Sequence, residues 1–186
     1  MDVYKLSQIN AEEYIRIKDI KGQLLPLYEY IQNDELQHLN KNPVKVGTGG
    51  GGIELPDYLT YEGLSLFSDR LKRLLEKENI YYIFFKKVQV VVFENKPEAV
   101  YWLAVVPQID CLDLEASNPK NTIWDCFNGF HPQVEVERIV INEKDLGHYT
   151  IFRIAGIGFE SIFITSSLYA LLSQYDLTGI EYIPLK

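Results

Sequence analysis

The sequence predicts an α+β fold, a mixed and mainly antiparallel sheet carrying a few short helices. Three observations lead there. Runs of aromatic and β-branched residues, bounded by turn formers, recur along the chain as strands do. Two short leucine patterns fall at helical spacing, each behind a Ser or Thr suited to capping a helix. Each pattern then gives way to another strand-like run, so the chain holds two similar strand–helix–strand units.

Taken in order, residues 14–20 alternate apolar and charged side chains, the pattern of a half-buried strand. Residues 23–39 are ambiguous, and Pro26 is suited to opening a short helix there. Residues 41–57 read as a loop, because Pro43, the glycine-rich stretch 47–52 and Pro56 all interrupt regular structure. In the first leucine pattern Ser68 precedes Leu71, Leu74 and Leu75, which share one helical face. Residues 80–85, 88–93 and 100–106 then read as strands, with Asn95-Lys96-Pro97-Glu98 as the turn of a hairpin. Residues 107–133 are polar, contain Pro119, Gly129 and Pro132, and read as a long excursion. Strands follow at 136–141 and 149–154, with a turn near 142–147. The second leucine pattern repeats the first: Thr165 stands where Ser68 stood, before Leu168, Leu171 and Leu172. A final strand covers 180–185.

Composition bounds the possible functions. With 186 residues, 47% of them apolar and 24% charged, the chain fits one ordinary globular domain spanning 1–186. Eighteen basic residues against 26 acidic ones leave a net charge of −8. That balance argues against a phosphate-binding surface for nucleic acid and against docking on anionic lipid. It suits a basic protein partner. The longest apolar runs are far shorter than the ~20 residues that cross a bilayer, and the start lacks a signal-peptide pattern. Cys111 and Cys126 form no Cys-x-x-Cys and read as reduced thiols. A cytoplasmic location is expected from these features.

Few residues carry recognisable chemistry. Gly47-Thr48-Gly49-Gly50-Gly51-Gly52 satisfies the letters of a dinucleotide fingerprint, but Pro56 stands where a phosphate-binding helix should open. No cofactor is expected. His38, His131 and His148 are isolated from one another, and no nucleophile-elbow motif occurs. Asp110, Asp113 and Glu115 are read as carboxylates at alternate positions, expected to share one face of a strand. Such a face is a divalent-metal edge, a negatively charged recognition surface, or a solvated strand end. Arg153 interrupts the apolar run Ile151-Phe152-Arg153-Ile154. It is therefore either solvent-facing or paired with a carboxylate such as Asp110 or Asp113, for a structural or a binding purpose. Trp124, Asp125 and Phe130 place aromatics beside an acid in a loop, which either anchors a partner or folds back on itself.

Several pieces of the chain also carry a family resemblance. They are Phe67-Ser68-Asp69-Arg70-Leu71, then Asp110-Cys111-Leu112-Asp113 followed by Ser117, then Ile151-Phe152-Arg153-Ile154, and the ending Leu177-Thr178-Gly179-Ile180-Glu181-Tyr182-Ile183-Pro184-Leu185. In this order, residues 61–186 resemble a bacterial family of immunity proteins of polymorphic toxin systems, typified by a myxobacterial immunity protein. Residues 1–60 fit more loosely. The resemblance implies a small cytoplasmic protein without enzymatic activity that binds and neutralises a cognate toxin, often encoded next door. On that reading the toxin interface is expected at Asp110, Asp113, Glu115, Trp124, Asp125 and Phe130. The alternative is a divalent-metal-dependent enzyme or small-ligand-binding module that uses Asp110, Asp113 and Glu115.

Overall fold

A computed structural model describes residues 1–10, 12, 14–21, 44–51, 54–61, 64–91, 99–123, 133–158 and 161–185. Its elements are short strands and shorter helices, the α+β architecture that the sequence pattern predicts. The chain divides into two compact units. One comprises Gln8–Val105 with Leu177–Ile180, and the other Met1–Ser7, Val106–Asp176 and Glu181–Lys186.

The first unit is built on β2 (Ile15–Lys21), β3 (Val44–Gly51), β4 (Tyr58–Tyr61), β5 (Leu64–Ser68), β6 (Phe84–Val91) and β7 (Ala99–Val105). They form one sheet in the order β2-β3-β6-β7-β5-β4, antiparallel throughout except for the parallel pair β3–β6. Helix α1 (Asp69–Lys77) follows β5. Its start is set by Ser68, whose side chain accepts from the Leu71 amide at 3.0 Å. Leu71, Leu74 and Leu75 are buried, as their spacing requires. Asn79 closes the helix at φ 61, a conformation that asparagine tolerates better than most residues. The Lys72 ammonium lies 4.5 Å from the Trp102 ring centre and 5.3 Å from that of Phe85. The Trp102 indole donates to Asp69 at 3.0 Å.

The second unit contains β1 (Val3–Gln8), β8 (Gln108–Ile109), β11 (Ile151–Ile154), β12 (Ile162–Thr165) and β13 (Ile180–Pro184), in the order β13-β1-β12-β11-β8. A separate ribbon pairs β9 (Pro119–Ile123) with β10 (Gln133–Val136). Two helices complete it, α2 (Glu143–Leu146) and α3 (Ser166–Leu172). The α3 cap repeats that of α1: Thr165 accepts from the Leu168 amide at 3.4 Å. One face of the sheet buries Val3, Phe152, Ile154 and Phe163 with Cys111 and Leu146. Alternation along β12 puts Ile162 and Ile164 on the other face. Tyr4, paired with Ile164, stacks there on Tyr169 of α3 at 4.2 Å.

The two strand–helix–strand units are thus real, and one falls in each compact unit. Both share more than the sequence echo. An antiparallel hairpin leads into each helix, β4/β5 and β11/β12. The strand after the helix does not pair with the strand before it; another strand sits between them. The local orders are β4-β5-β7-β6 and β11-β12-β1-β13. In one sheet the inserted strand comes next along the chain, and in the other it is the chain's first strand.

Several local expectations change. The glycine-rich stretch is not a loop: Gly47–Gly51 continue β3, an inner strand held by β2 and β6. Long-range pairing, of Gly47 with Val91 and of Gly47, Thr48 and Gly51 with β2, overrides a composition that locally favours a turn, and the register irregularities opposite the glycines are where such residues fit. Of the strands expected at 80–85 and 88–93, residues 84–91 form one strand, β6, because Lys86 and Lys87 pair with Leu103 and Trp102 without a break; 80–83 precede it as irregular chain, and 92–93 lie outside the described residues. The excursion 107–133 contains β8 and β9, whose partners lie elsewhere in the chain. The strand expected at 136–141 lies earlier, at β10, and the turn expected near 142–147 holds α2, capped by Asn142. The short helix considered for 23–39 and the turn at 95–98 lie outside the described residues.

Candidate functional site

The acidic stretch singled out in the sequence is placed by backbone hydrogen bonds rather than by a regular strand. Leu112 makes an isolated bridge with Ile141. The Asp113 amide donates to Val140 O at 2.9 Å, and the Asn142 amide to Cys111 O at 2.8 Å. Residues 110–118 therefore lie antiparallel beside 137–145. Asp110, Asp113 and Glu115 are exposed, as are Glu137, Glu143 and Asp145 on the neighbouring segment. The shared strand face expected for the first three does not form: Asp110 and Asp113 are three positions apart, an odd spacing that puts them on opposite faces of a strand, and 114–117 make a turn. Asp113 builds that turn: its carboxylate accepts from the Ala116 amide at 2.9 Å. Leu114, 47% exposed, stands between Asp113 and Glu115 in the sequence of this turn.

Some of this charge is compensated. Glu143 pairs with the Met1 ammonium. The Arg138 guanidinium donates to Ala116 O at 2.9 Å. The wider imbalance remains. The unit of the five-stranded sheet holds twelve acidic and six basic residues, a net −6, whereas the other unit holds fourteen and twelve, a net −2.

Beneath this surface Cys111 is buried and free. Burial, with Asp110 and Asp145 nearby, pushes its thiol up to about 11. Arg153 is 4% exposed, which removes the solvent-facing alternative, and its amide donates to Pro107 O at 2.8 Å. Trp124, Asp125 and Phe130 lie outside the described residues, as do His38, His131 and Cys126. His148 is exposed and stacks on Tyr149 at 4.3 Å. Among the described residues no three His, Cys, Asp or Glu side chains are grouped to hold a metal ion.

A second cluster was not legible as a site in the sequence. Asp57, 6% exposed, accepts from Ser68 Oγ at 2.5 Å, from the Thr178 amide at 2.9 Å and from Arg70 Nη1 at 3.5 Å. Its own amide donates to Thr178 O at 2.9 Å, and its carbonyl accepts from the Ser68 amide at 2.9 Å. Next to it, Tyr101 Oη donates to Pro56 O at 2.5 Å. Burial and the Asp57 charge hold the Tyr101 hydroxyl well above its ordinary value. Ser68, Arg70 and Thr178 all belong to the pieces that carry the family resemblance. Their convergence on one buried carboxylate ties three distant segments together and is a structural role.

No match is found among curated proteins. The sequence does match the profile of an immunity protein family over residues 7–186, reaching well ahead of the stretch 61–186 that carries the resemblance. With nearly the whole chain covered, the protein is a member of the immunity protein family Imm11.

Proposed function

We propose that this protein binds a cognate bacterial toxin of a polymorphic toxin system in the cytoplasm and neutralises it by occluding the active site, without catalysis of its own. The observation that carries the reading, beside family membership, is the concentration of negative charge in one unit, displayed on the paired segments 110–118 and 137–145. A basic toxin surface is the complement of such a face, and exposed carboxylates would accelerate encounter with it. Leu114 offers an apolar contact at the centre of the same turn. Trp124, Asp125 and Phe130 extend the proposed interface along the chain.

The partner is expected to be encoded next door. Co-expression with the C-terminal domain of the neighbouring large open reading frame should restore growth and yield a stable complex. Neutralising Asp113, Glu115 and Asp125 together should slow association and flatten its dependence on salt. On-rates that stay unchanged across ionic strength would reject the acidic face as the toxin-facing surface.

A further inference from the structure

Asp113 and Ser117 both belong to the pieces that carry the family resemblance, and both build one turn. The Ser117 amide donates to Asp113 O at 2.9 Å, so 113–117 close a single helical turn that goes no further. Asp113 caps it through the Ala116 amide at 2.9 Å. Asn118 ends it at φ 52, where asparagine is tolerated. The segment 137–140 clamps the turn from beside it. Ser117 is fully buried, and its Oγ accepts from the Val140 amide at 3.0 Å and donates back to Val140 O at 3.3 Å. The Arg138 amide donates to Ser117 O at 3.3 Å, and the Glu137 amide to Asn118 O at 3.1 Å. The Arg138 guanidinium holds Ala116 O.

On this braced turn Leu114 keeps nearly half of its surface in water, with exposed Asp113 before it and exposed Glu115 after it. An apolar side chain on a backbone already fixed in place gives up little conformational freedom when a partner covers it. Burying it removes its remaining apolar surface from water. The surrounding charge sets the chemistry of that partner. Segments 110–118 and 137–145 hold six acidic residues against two basic ones, Arg138 and Lys144. The complement is therefore an apolar hollow with a basic margin.

We propose that Leu114 is the anchor of the toxin interface: presented on a turn preformed by Asp113 and Ser117, it enters an apolar pocket of the toxin rimmed by lysine or arginine side chains. The proposal rests on the immunity reading above and names what the acidic face meets. Labour on that face is divided. The carboxylates guide the encounter and set the association rate, whereas the buried leucine sets the lifetime of the complex. Asp113 serves in both ways, since its charge steers and its oxygen holds the turn. It is a positioning residue for Leu114.

Association and dissociation rates test this, measured at low and high salt between the full chain and the C-terminal domain of the neighbouring open reading frame. Leu114→Ala should speed dissociation by roughly tenfold or more at both salt concentrations. The melting temperature of the free protein should not change. Asp113→Asn keeps an acceptor for the Ala116 amide and loses only the charge, so it should slow association and leave dissociation alone. Asp113→Ala loses both and should also speed dissociation. A complex whose dissociation is unchanged by Leu114→Ala overturns the anchor and leaves the immunity reading standing. Equal dissociation of Asp113→Asn and Asp113→Ala overturns the role of the preformed turn. Absence of any complex overturns the anchor and the immunity reading together.

Discussion

Asp57 and Thr178 are 121 positions apart in sequence and bind each other in both directions. The Asp57 amide donates to Thr178 O, and the Thr178 amide donates back to the Asp57 carboxylate. Each therefore satisfies a backbone group of the other inside the protein. Removing the carboxylate with Asp57→Ala strands the donors at Ser68 and Thr178. A cost of roughly 1–3 kcal/mol for each stranded donor is expected. Denaturant unfolding of the variant should show it, and Asp57→Asn, which keeps an acceptor, should lose less.

Gly179 adjoins this contact and is constrained twice. Its φ of +73 is disfavoured for other residues, and an added Cβ would lie 2.2 Å from Pro56 Cβ. Gly147, at φ +60, has nothing within 4 Å of such an atom. With ψ at −125, Gly147 lies outside the left-handed helical well in a region kept almost entirely to glycine, so Gly147→Ala should cost roughly 1–3 kcal/mol from backbone conformation alone. Gly179→Ala should cost clearly more, with Pro56 forced to move. Melting temperatures of the two variants separate conformational strain from the clash.

The two helix caps should respond unequally. Thr165→Ala removes a cap and should cost about 1 kcal/mol. Ser68 caps α1 and also donates to Asp57 at 2.5 Å, so Ser68→Ala loses both and leaves the carboxylate one donor short. Equal losses in thermal unfolding would show that the Asp57 contact adds nothing at this position.

Cys111 provides a test in alkali. Its thiol is raised from 9.0 to about 11 in the folded protein, chiefly by burial. The unfolded chain therefore gives up this proton first as pH rises. The thiol's contribution to stability is intact below pH 9 and lost between 9 and 11. Denaturant titrations of the native protein and Cys111→Ala across that range should differ in slope. In a Cys126→Ser background, thiol reagents at pH 8 should label Cys111 only when the protein opens.

Elements that rest on neighbours in the chain were legible from sequence. Ser68 and Thr165 announce their helices because a cap and a leucine face lie within seven residues of each other. The alternation at 14–20 likewise marks β2. Elements that rest on distant partners were not. The glycines of β3 are strand because β2 runs beside them and β6 pairs with the first, and β8 exists because β11 lies beside it. Strand β1 went unread, since Val3–Gln8 becomes a strand through β12 and β13.

The candidate site divides in the same way. Sequence alone determined the acidity of the 110–115 stretch, the two capped helices and the membership of the family, because charge, spacing and motif order are properties of the chain itself. Tertiary structure decided that Asp113 closes a turn instead of sharing a strand face, that Arg153 is buried, and that Asp57 gathers Ser68, Arg70 and Thr178. The physical reason is common to all three. A hydrogen bond or a buried charge is settled by whichever partner the fold delivers, and partners from far along the chain leave no local periodicity to read.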